Sequence, residues 1–402
     1  MKILVISQYF YPENFRINDL CYSLSNRGHE ITILTGKPNY PKGEYFDGYS
    51  WRQKQYEKIK NIEVYRSNLL LRRSGRPINL IFNYLSFALL ASIKIFKISK
   101  KFDKIFIYAP SPITVGIVGI IAKYRFKVKT YLWVHDLWPE SVKFAGGINN
   151  KIILYFIDIM TRIIYKLNDT LLVQSPLFKS YLLNQNVNLD KIIYYPYYAE
   201  DFYKPVLMKE EIKRTFPEGF NLVFAGNIGK AQSFDTIVMA AAELKKKKIK
   251  INFIIFGDGR DKKRIESLIK QKELESYFYF KGSFPPQRMP DLFSCADALL
   301  VTLKKSEVFS KTIPGKLQSY LACGKPIVGA LDGIGAEIIL SSKSGFSSKA
   351  EDYKSLSEII LKISRLSGNQ LQEFGKNALS YYSKFFEKEK LLNELEEIFN
   401  KK

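Results

Sequence analysis

The sequence predicts an α/β protein built from two doubly wound parallel-sheet domains. Three observations carry this expectation. Short apolar runs recur along the chain with helical segments between them, which argues a parallel sheet covered on both faces. The alternation stalls once, in Tyr194-Tyr195-Pro196-Tyr197-Tyr198-Ala199-Glu200-Asp201-Phe202-Tyr203-Lys204-Pro205, and then restarts. At 402 residues and 46% hydrophobic content, the chain suffices for two domains with full cores.

Taken in order, strands are expected at 3–7, 30–34, 62–65, 104–108, 130–135 and 170–174. The stalled stretch marks a junction, giving domains over 1–198 and 199–385. The second series of strands falls at 221–225, 251–256, 277–281, 298–302 and 326–330. A final charged helix, about 386–402, is free to pack back on the first domain. Two such domains leave a cleft facing the carboxyl ends of both sheets, where open sheets bind ligands.

Three cysteines without CxxC spacing and two distant histidines give neither a disulfide framework nor a zinc site, and favour a reducing compartment. The first residues run directly into strand-like sequence, without the pattern of a secretory leader. The longest lipophilic stretch, 77–93, is interrupted by Asn79, Asn83, Tyr84 and Ser86 and falls short of the roughly 20 residues of a spanning helix. Charge is concentrated around it. Residues 51–130 hold 17 Lys and Arg against three acids, a net of +14 within a chain of +23. Arg72, Arg73 and Arg76 precede the lipophilic stretch, and Lys94, Lys97, Lys100 and Lys101 follow. An interfacial helix on anionic lipid has this composition, as does a core helix with solvated basic ends. Nucleic acid also attracts such charge, but no recognised binding motif accompanies it.

The stretch from Ser310 to Pro326 places Ser310, Lys311 and Thr312 before a Pro-Gly turn and an apolar helical run carrying Lys316, Gln318 and Ser319. A helix starting at Ser310 would aim amides, dipole and two lysines at one anion; an ordinary capped helix reads the same. Two glycine loops end strands of the same domain. One carries Gly226, Asn227, Gly229, Lys230 and Gln232, the other Gly257 and Asp258, and both would let backbone approach a phosphate. Ser283 and Phe284 open a rigid proline loop with an aromatic face that suits a nucleobase, and Glu337 stands in the first turn of another glycine-led helix. In the first domain, His135, Asp136 and Glu140 emerge where an apolar strand ends, which suits contact with a sugar hydroxyl or leaving group. No Asp-x-Asp pair occurs, so the carboxylate device that holds a divalent ion on a diphosphate is missing; no metal or other cofactor is expected.

The ordered set of Gln8-Tyr9-Phe10-Tyr11-Pro12-Glu13, His135-Asp136-Leu137-Trp138-Pro139-Glu140, Gly226-Asn227-Ile228-Gly229, Phe256-Gly257-Asp258-Gly259 and the Ser310–Pro326 block resembles glycosyltransferase family 4 over nearly the whole chain. It is most similar to the WbuB-like branch of L-fucosamine transferases of O-antigen and capsule assembly. The resemblance implies the GT-B architecture, two Rossmann-like domains across a cleft, with a UDP-sugar held mainly by the second and an acceptor by the first. It also implies retention at the anomeric carbon.

This chain departs from the family where the donor's diphosphate and ribose bind. The phosphate-binding Arg and Lys fall on Asn227 and Gln232, and the paired glutamates fall on Lys311 and Ser319. Lys311, Lys316 and Lys230 are then expected to take phosphate charge, and Ser319 or Gln318 to meet the ribose. Asn14 and Arg16 replace a glycine pair in the first loop and are candidates for the diphosphate or the acceptor. Together these point to transfer of an N-acetylamino sugar to a lipid-diphosphate-linked saccharide by a peripheral protein at the cytoplasmic face of the plasma membrane. A UDP-sugar epimerase or hydrolase, and a non-catalytic basic membrane or nucleic-acid binder, are the competing readings. The basic lipophilic segment favours the lipid acceptor.

Overall fold

The computed structural model describes residues 1–73, 76–146 and 150–401. Two compact units make up the chain, Met1–Tyr195 with Leu395–Lys402, and Pro196–Glu394.

The first unit runs β1 (Lys2–Ser7), α1 (Ile17–Asn26), β2 (Glu30–Gly36), β3 (Tyr56–Ile59), β4 (Ile62–Ser67), α2 (Pro77–Ile95), β5 (Lys104–Ala109), α3 (Val115–Phe126), β6 (Thr130–Val134), α4 (Glu140–Gly146), α5 (Lys151–Leu167), β7 (Thr170–Val173), α6 (Leu177–Asn184) and β8 (Ile192–Tyr194). Its sheet has the order β3-β4-β2-β1-β5-β6-β7-β8 and is parallel except for β3 on β4. Ile3, Leu4, Val5 and Ile6 of β1 are buried on both faces, which is why the central strands read as continuous apolar runs rather than alternating ones. Strand order reverses between β1 and β5, so a crevice opens beyond their carboxyl ends.

Pro77 opens α2 at the position where its missing N–H costs nothing. The helix continues to Ile95, two residues past the expected lipophilic stretch, and its length and composition are enough to cross a bilayer. This corrects the expectation that it is too short. Its inner face, including Phe87, Ala91 and Ile95, is buried, and the helix packs on α3, β2 and β4.

The second unit runs α7 (Glu210–Lys213), β9 (Asn221–Ala225), α8 (Phe234–Lys246), β10 (Asn252–Phe256), α9 (Lys262–Gln271), β11 (Phe278–Gly282), α10 (Met289–Ser294), β12 (Ala298–Thr302), α11 (Glu307–Lys311), α12 (Gly315–Ala322), β13 (Ile327–Ala330), α13 (Ile334–Ser341), β14 (Gly345–Ser348), α14 (Tyr353–Ser364) and α15 (Gly368–Phe385). Its parallel sheet has the order β11-β10-β9-β12-β13-β14, with the reversal between β9 and β12. Alternate strand residues feed two cores. Val223, Ile254, Leu299 and Val301 face one, and Leu222, Phe253, Ile255 and Leu300 face the other.

The last helix, α16 (Lys388–Asn400), finishes in the first unit. There Glu396 meets Arg27 at 2.9 Å and His29 at 2.8 Å, and Phe399 lies edge-on to Phe106 and Tyr131.

Candidate functional site

In the second unit, β9 and β12 pair at the reversal of strand order, and α12 reaches the carboxyl end of β9 through Tyr320 and Ala225. The helix expected to begin at Ser310 begins instead at Gly315. Pro314 occupies its N-cap in extended conformation and disfavours a helical Ile313, so residues 307–311 close off as the separate short helix α11. Ser310 Oγ donates to the carbonyl of Glu307, Thr312 Oγ1 to that of Val308, and Lys311 Nζ pairs with Glu307 at 2.7 Å. These three side chains are engaged with α11 itself. The expected convergence of two lysines on one anion therefore reduces to Lys316.

Lys316 sits in the first turn of α12. Its Nζ donates to Gln232 Oε1 at 2.8 Å and stands 3.6 Å from the centre of the Phe224 ring. A Cβ on Gly226 would come within 3.1 Å of the ammonium, so the glycine keeps this space open. Among the described residues no carboxylate pairs with Lys316. Burial holds its pKa well below the ordinary lysine value. A half-buried ammonium facing an amide oxygen and a ring, at a helix N-terminus, has the chemistry of an anion site. Tyr320, one turn further, fixes α12 to β9 by accepting the Ala225 N–H at 3.0 Å.

The glycine loops interlock. Gly226 N–H donates to Phe256 O, Ile228 N–H to Asp258 O, and Gly257 N–H to Gly282 O. A Cβ on Gly257 would stand 1.9 Å from the Gly226 carbonyl. The space expected to serve a phosphate at Gly257 is taken by the neighbouring loop, so this glycine holds two loops together. Gly229 leads into the turn carrying the exposed Lys230, and Asn227 is exposed beside it. Asp258 Oδ1 accepts the N–H of Gly259 and shapes its own turn. Ser283 follows Gly282 on the third loop, and Phe284 is exposed and packs edge-on to Phe256 at 5.6 Å. Glu337 lies exposed in the first turn of α13, whose entry at Gly333 backs onto Ser310 O.

Gln318 and Ser319 are buried inside α12. In the orientation that satisfies it, the Gln318 amide donates to the carbonyls of Pro314 and Gly315 at 3.1 Å. It stabilises the helix start and does not reach outward to a ribose, which corrects the role expected of it.

In the first unit, His135 follows β6. Its ring packs between Trp133 at 4.3 Å and Tyr108 at 4.9 Å. Burial, then the nearby Arg16, hold its pKa well below the ordinary histidine value, so the imidazole is neutral. The structure thus brings Arg16 to His135, while Asn14 is exposed on the same loop. Asp136 is raised to about 7 by burial, against a hydrogen bond from Ser111. Glu140 accepts a short hydrogen bond from Tyr181 OH and is tied to α6 rather than to the histidine.

Sequence reasoning missed Phe224 beneath Lys316, Ser111 and the role of Glu13. Each acts through a partner distant in the chain. Glu13 is buried, raised to about 7 by that burial, and accepts the amides of Asn39 at 2.8 Å and Tyr40 at 2.7 Å, joining the loops after β1 and β2.

Two residues expected at a lipid surface fold inward instead. The Arg72 guanidinium stacks over Tyr40 at 4.7 Å. Lys94 donates to Gln55 Oε1 at 2.7 Å and to its carbonyl at 3.1 Å, and burial lowers it to about 8. Arg73, Arg76 and Lys97 are exposed.

Residues 209–380 match the family model described as glycosyl transferases group 1. The uncharacterized glycosyltransferase MJ1069 of Methanocaldococcus jannaschii is 24% identical, over all of this chain and 98% of its own length. The putative colanic acid biosynthesis glycosyl transferase WcaI of Escherichia coli K12 is 22% identical, over 81% of this chain and 82% of its own. Among solved structures, sucrose-phosphate synthase from Thermosynechococcus elongatus superposes with a TM-score of 0.75 at 16% identity, covering 99% and 98% of the two chains. Anabaena Alr3699/HepE, solved with UDP-glucose, gives 0.70 at 14% identity over 99% of each chain.

Proposed function

We propose that this chain, a glycosyltransferase of the GT-B fold carrying a glycosyl transferases group 1 domain over residues 209–380, transfers an N-acetylamino sugar of the L-fucosamine type from UDP to a polyprenyl-diphosphate-linked saccharide. It does so at the inner face of the plasma membrane during O-antigen or capsule assembly, with retention at the anomeric carbon and without a metal. The observation that carries the reading is Lys316, a half-buried ammonium beside the Gly226 loop with no carboxylate partner among the described residues. The HepE complexes with UDP and UDP-glucose, and WcaI's naming for colanic acid synthesis, support the donor and the pathway class.

Departure of UDP builds negative charge on the diphosphate. Lys316 and the positive end of the α12 dipole oppose that charge from fixed positions, a form of catalysis that needs no reorganisation during the reaction. Phe284 offers its exposed face to the uracil. In the first unit, the neutral His135 and the neighbouring Asp136 meet the transferred sugar or the acceptor hydroxyl.

The test is product analysis by mass spectrometry after incubation with a panel of UDP-amino sugars and short polyprenyl-diphosphate saccharides. One donor–acceptor pair should give a product heavier by one amino-sugar residue. Sugar release without acceptor, or an isomerised UDP-sugar, would overturn the assignment in favour of a hydrolase or epimerase.

A further inference from the structure

We infer that α5 is a second lipid-contact helix, so that α2 and α5 form one platform that lies on an anionic bilayer. The inference rests on the reading that the enzyme works at a lipid surface, but its evidence is separate. The helices α2, α3 and α5 form a row, α3 packing against both of the others. Gly116 lets α3 close on α5, and Gly119 lets it close on the sheet beneath. A Cβ at the first would stand 2.4 Å from Ile164 of α5, and one at the second 2.1 Å from Ile107 of β5.

Both flanking helices turn an apolar stripe outward. On α5 the exposed residues Ile152, Tyr155, Phe156 and Ile163 follow the spacing of one helical face, opposite the buried Thr161, Ile164 and Tyr165. On α2 the exposed stripe is Ile78, Phe82, Leu85, Leu89 and Ile93. Leu89 is 63% exposed and Phe156 64%, and each belongs to a continuous apolar stripe of the kind that marks an interaction surface rather than to a scatter of single side chains.

Charge selects the occupant. The three helices contain six basic residues and one acid, Asp158, which is paired with Arg162 at 2.8 Å. The exposed cations stand at the ends of the stripes: Arg73 and Arg76 before α2, Lys97 after it, and Lys151 and Lys166 at the two ends of α5. An apolar stripe ended by cations fits acyl chains beneath anionic headgroups. A second copy of this chain would bring the same positive rim against itself. Both helices start at the carboxyl edge of the sheet, where the loops of Arg16 and His135 lie, so a platform seated on lipid holds that edge at headgroup level.

The experiment compares the full-length protein with Tyr155→Ser/Phe156→Ser and with Phe82→Ser/Leu89→Ser, in sedimentation with phosphatidylglycerol–phosphatidylcholine vesicles. All four positions are exposed, and an unchanged far-UV circular dichroism spectrum and urea-unfolding midpoint report an intact fold. Each double variant should lower the vesicle-bound fraction several-fold at low salt, and the quadruple variant should abolish binding. Wild-type binding by the α5 variant, with loss in the α2 variant, overturns the role of α5 and leaves the lipid-surface reading standing. Absence of binding by the wild type overturns both. A wild-type dimer in light scattering that the α5 variant converts to monomer makes this face a self-interface and also overturns the inference.

Discussion

Lys316 concentrates the chemistry of the second unit in one titratable group. Burial disfavours its charged form, and the proposed diphosphate would restore it. UDP binding at alkaline pH should therefore take up a proton, seen as a dependence of the calorimetric heat on the buffer's ionisation enthalpy. Lys316→Arg, whose guanidinium stays protonated, should bind without that uptake, and Lys316→Ala should lose about 1.5–3 kcal/mol of UDP affinity. Lys311→Ala should change affinity little, because that ammonium is paired with Glu307. Turnover should persist in excess EDTA, because in the proposed reading Lys316 and the start of α12 supply the positive potential; activity lost in EDTA and restored by magnesium would refute this. Asp136 yields a prediction of opposite sign. Its folded pKa of about 7 lies above the ordinary carboxyl value, so the folded state binds the proton more tightly. The stability this contributes is complete below about pH 4 and is lost as pH rises through 7, on the order of 4 kcal/mol at most. The stability difference between wild type and Asp136→Asn, from urea unfolding, should therefore shift against the wild type between pH 5 and pH 8. A constant difference would refute the shifted carboxyl.

At the scale of elements, the end of α16 is an integral part of the first unit. Phe399 is fully buried against Phe106 and Tyr131, and Glu396 joins Arg27 and His29. Phe399→Ala should lower stability by about 3–5 kcal/mol in urea unfolding, far more than Lys401→Ala at the exposed end of the chain. Fully buried parallel strands such as β1, β5 and β9 were legible in the sequence because both faces demand apolar residues. Three others were not. The edge strand β3 alternates between exposed and partly buried residues, β8 is three residues long, and β14 is Gly-Phe-Ser-Ser. Their strand character comes from the neighbour each pairs with, which composition alone does not reveal. The start of α12 was misplaced for a related reason. Ser310, Lys311 and Thr312 are good helix-entry residues, but Pro314 makes them the end of a separate turn of helix. The position of Lys316 at the start of a helix was legible. Its setting on Phe224 and Gln232 was not, since Gln232 lies 84 residues away in the chain.

Over the whole molecule the +23 charge is uneven, and the apolar stripes lie within its most basic region and on α5 beyond it. The residues proposed for the donor belong to the second unit and the helices proposed to face lipid belong to the first, so the two kinds of binding would draw on different residues. UDP affinity should then be the same with and without anionic vesicles, and should respond to salt only through its own phosphate contacts. Transfer to a lipid-linked acceptor should behave differently. It should rise with the anionic fraction of the vesicles and fall with salt, because screening at about 0.15 M already shortens electrostatic reach to roughly 8 Å. A water-soluble acceptor analogue removes the need for the surface and should show little of either dependence. Measuring turnover on the two acceptors over one salt series separates the contributions. Parallel salt curves would place the sensitivity in donor binding, whereas a steep curve confined to the lipid-linked acceptor would assign it to the basic rim around α2 and α5.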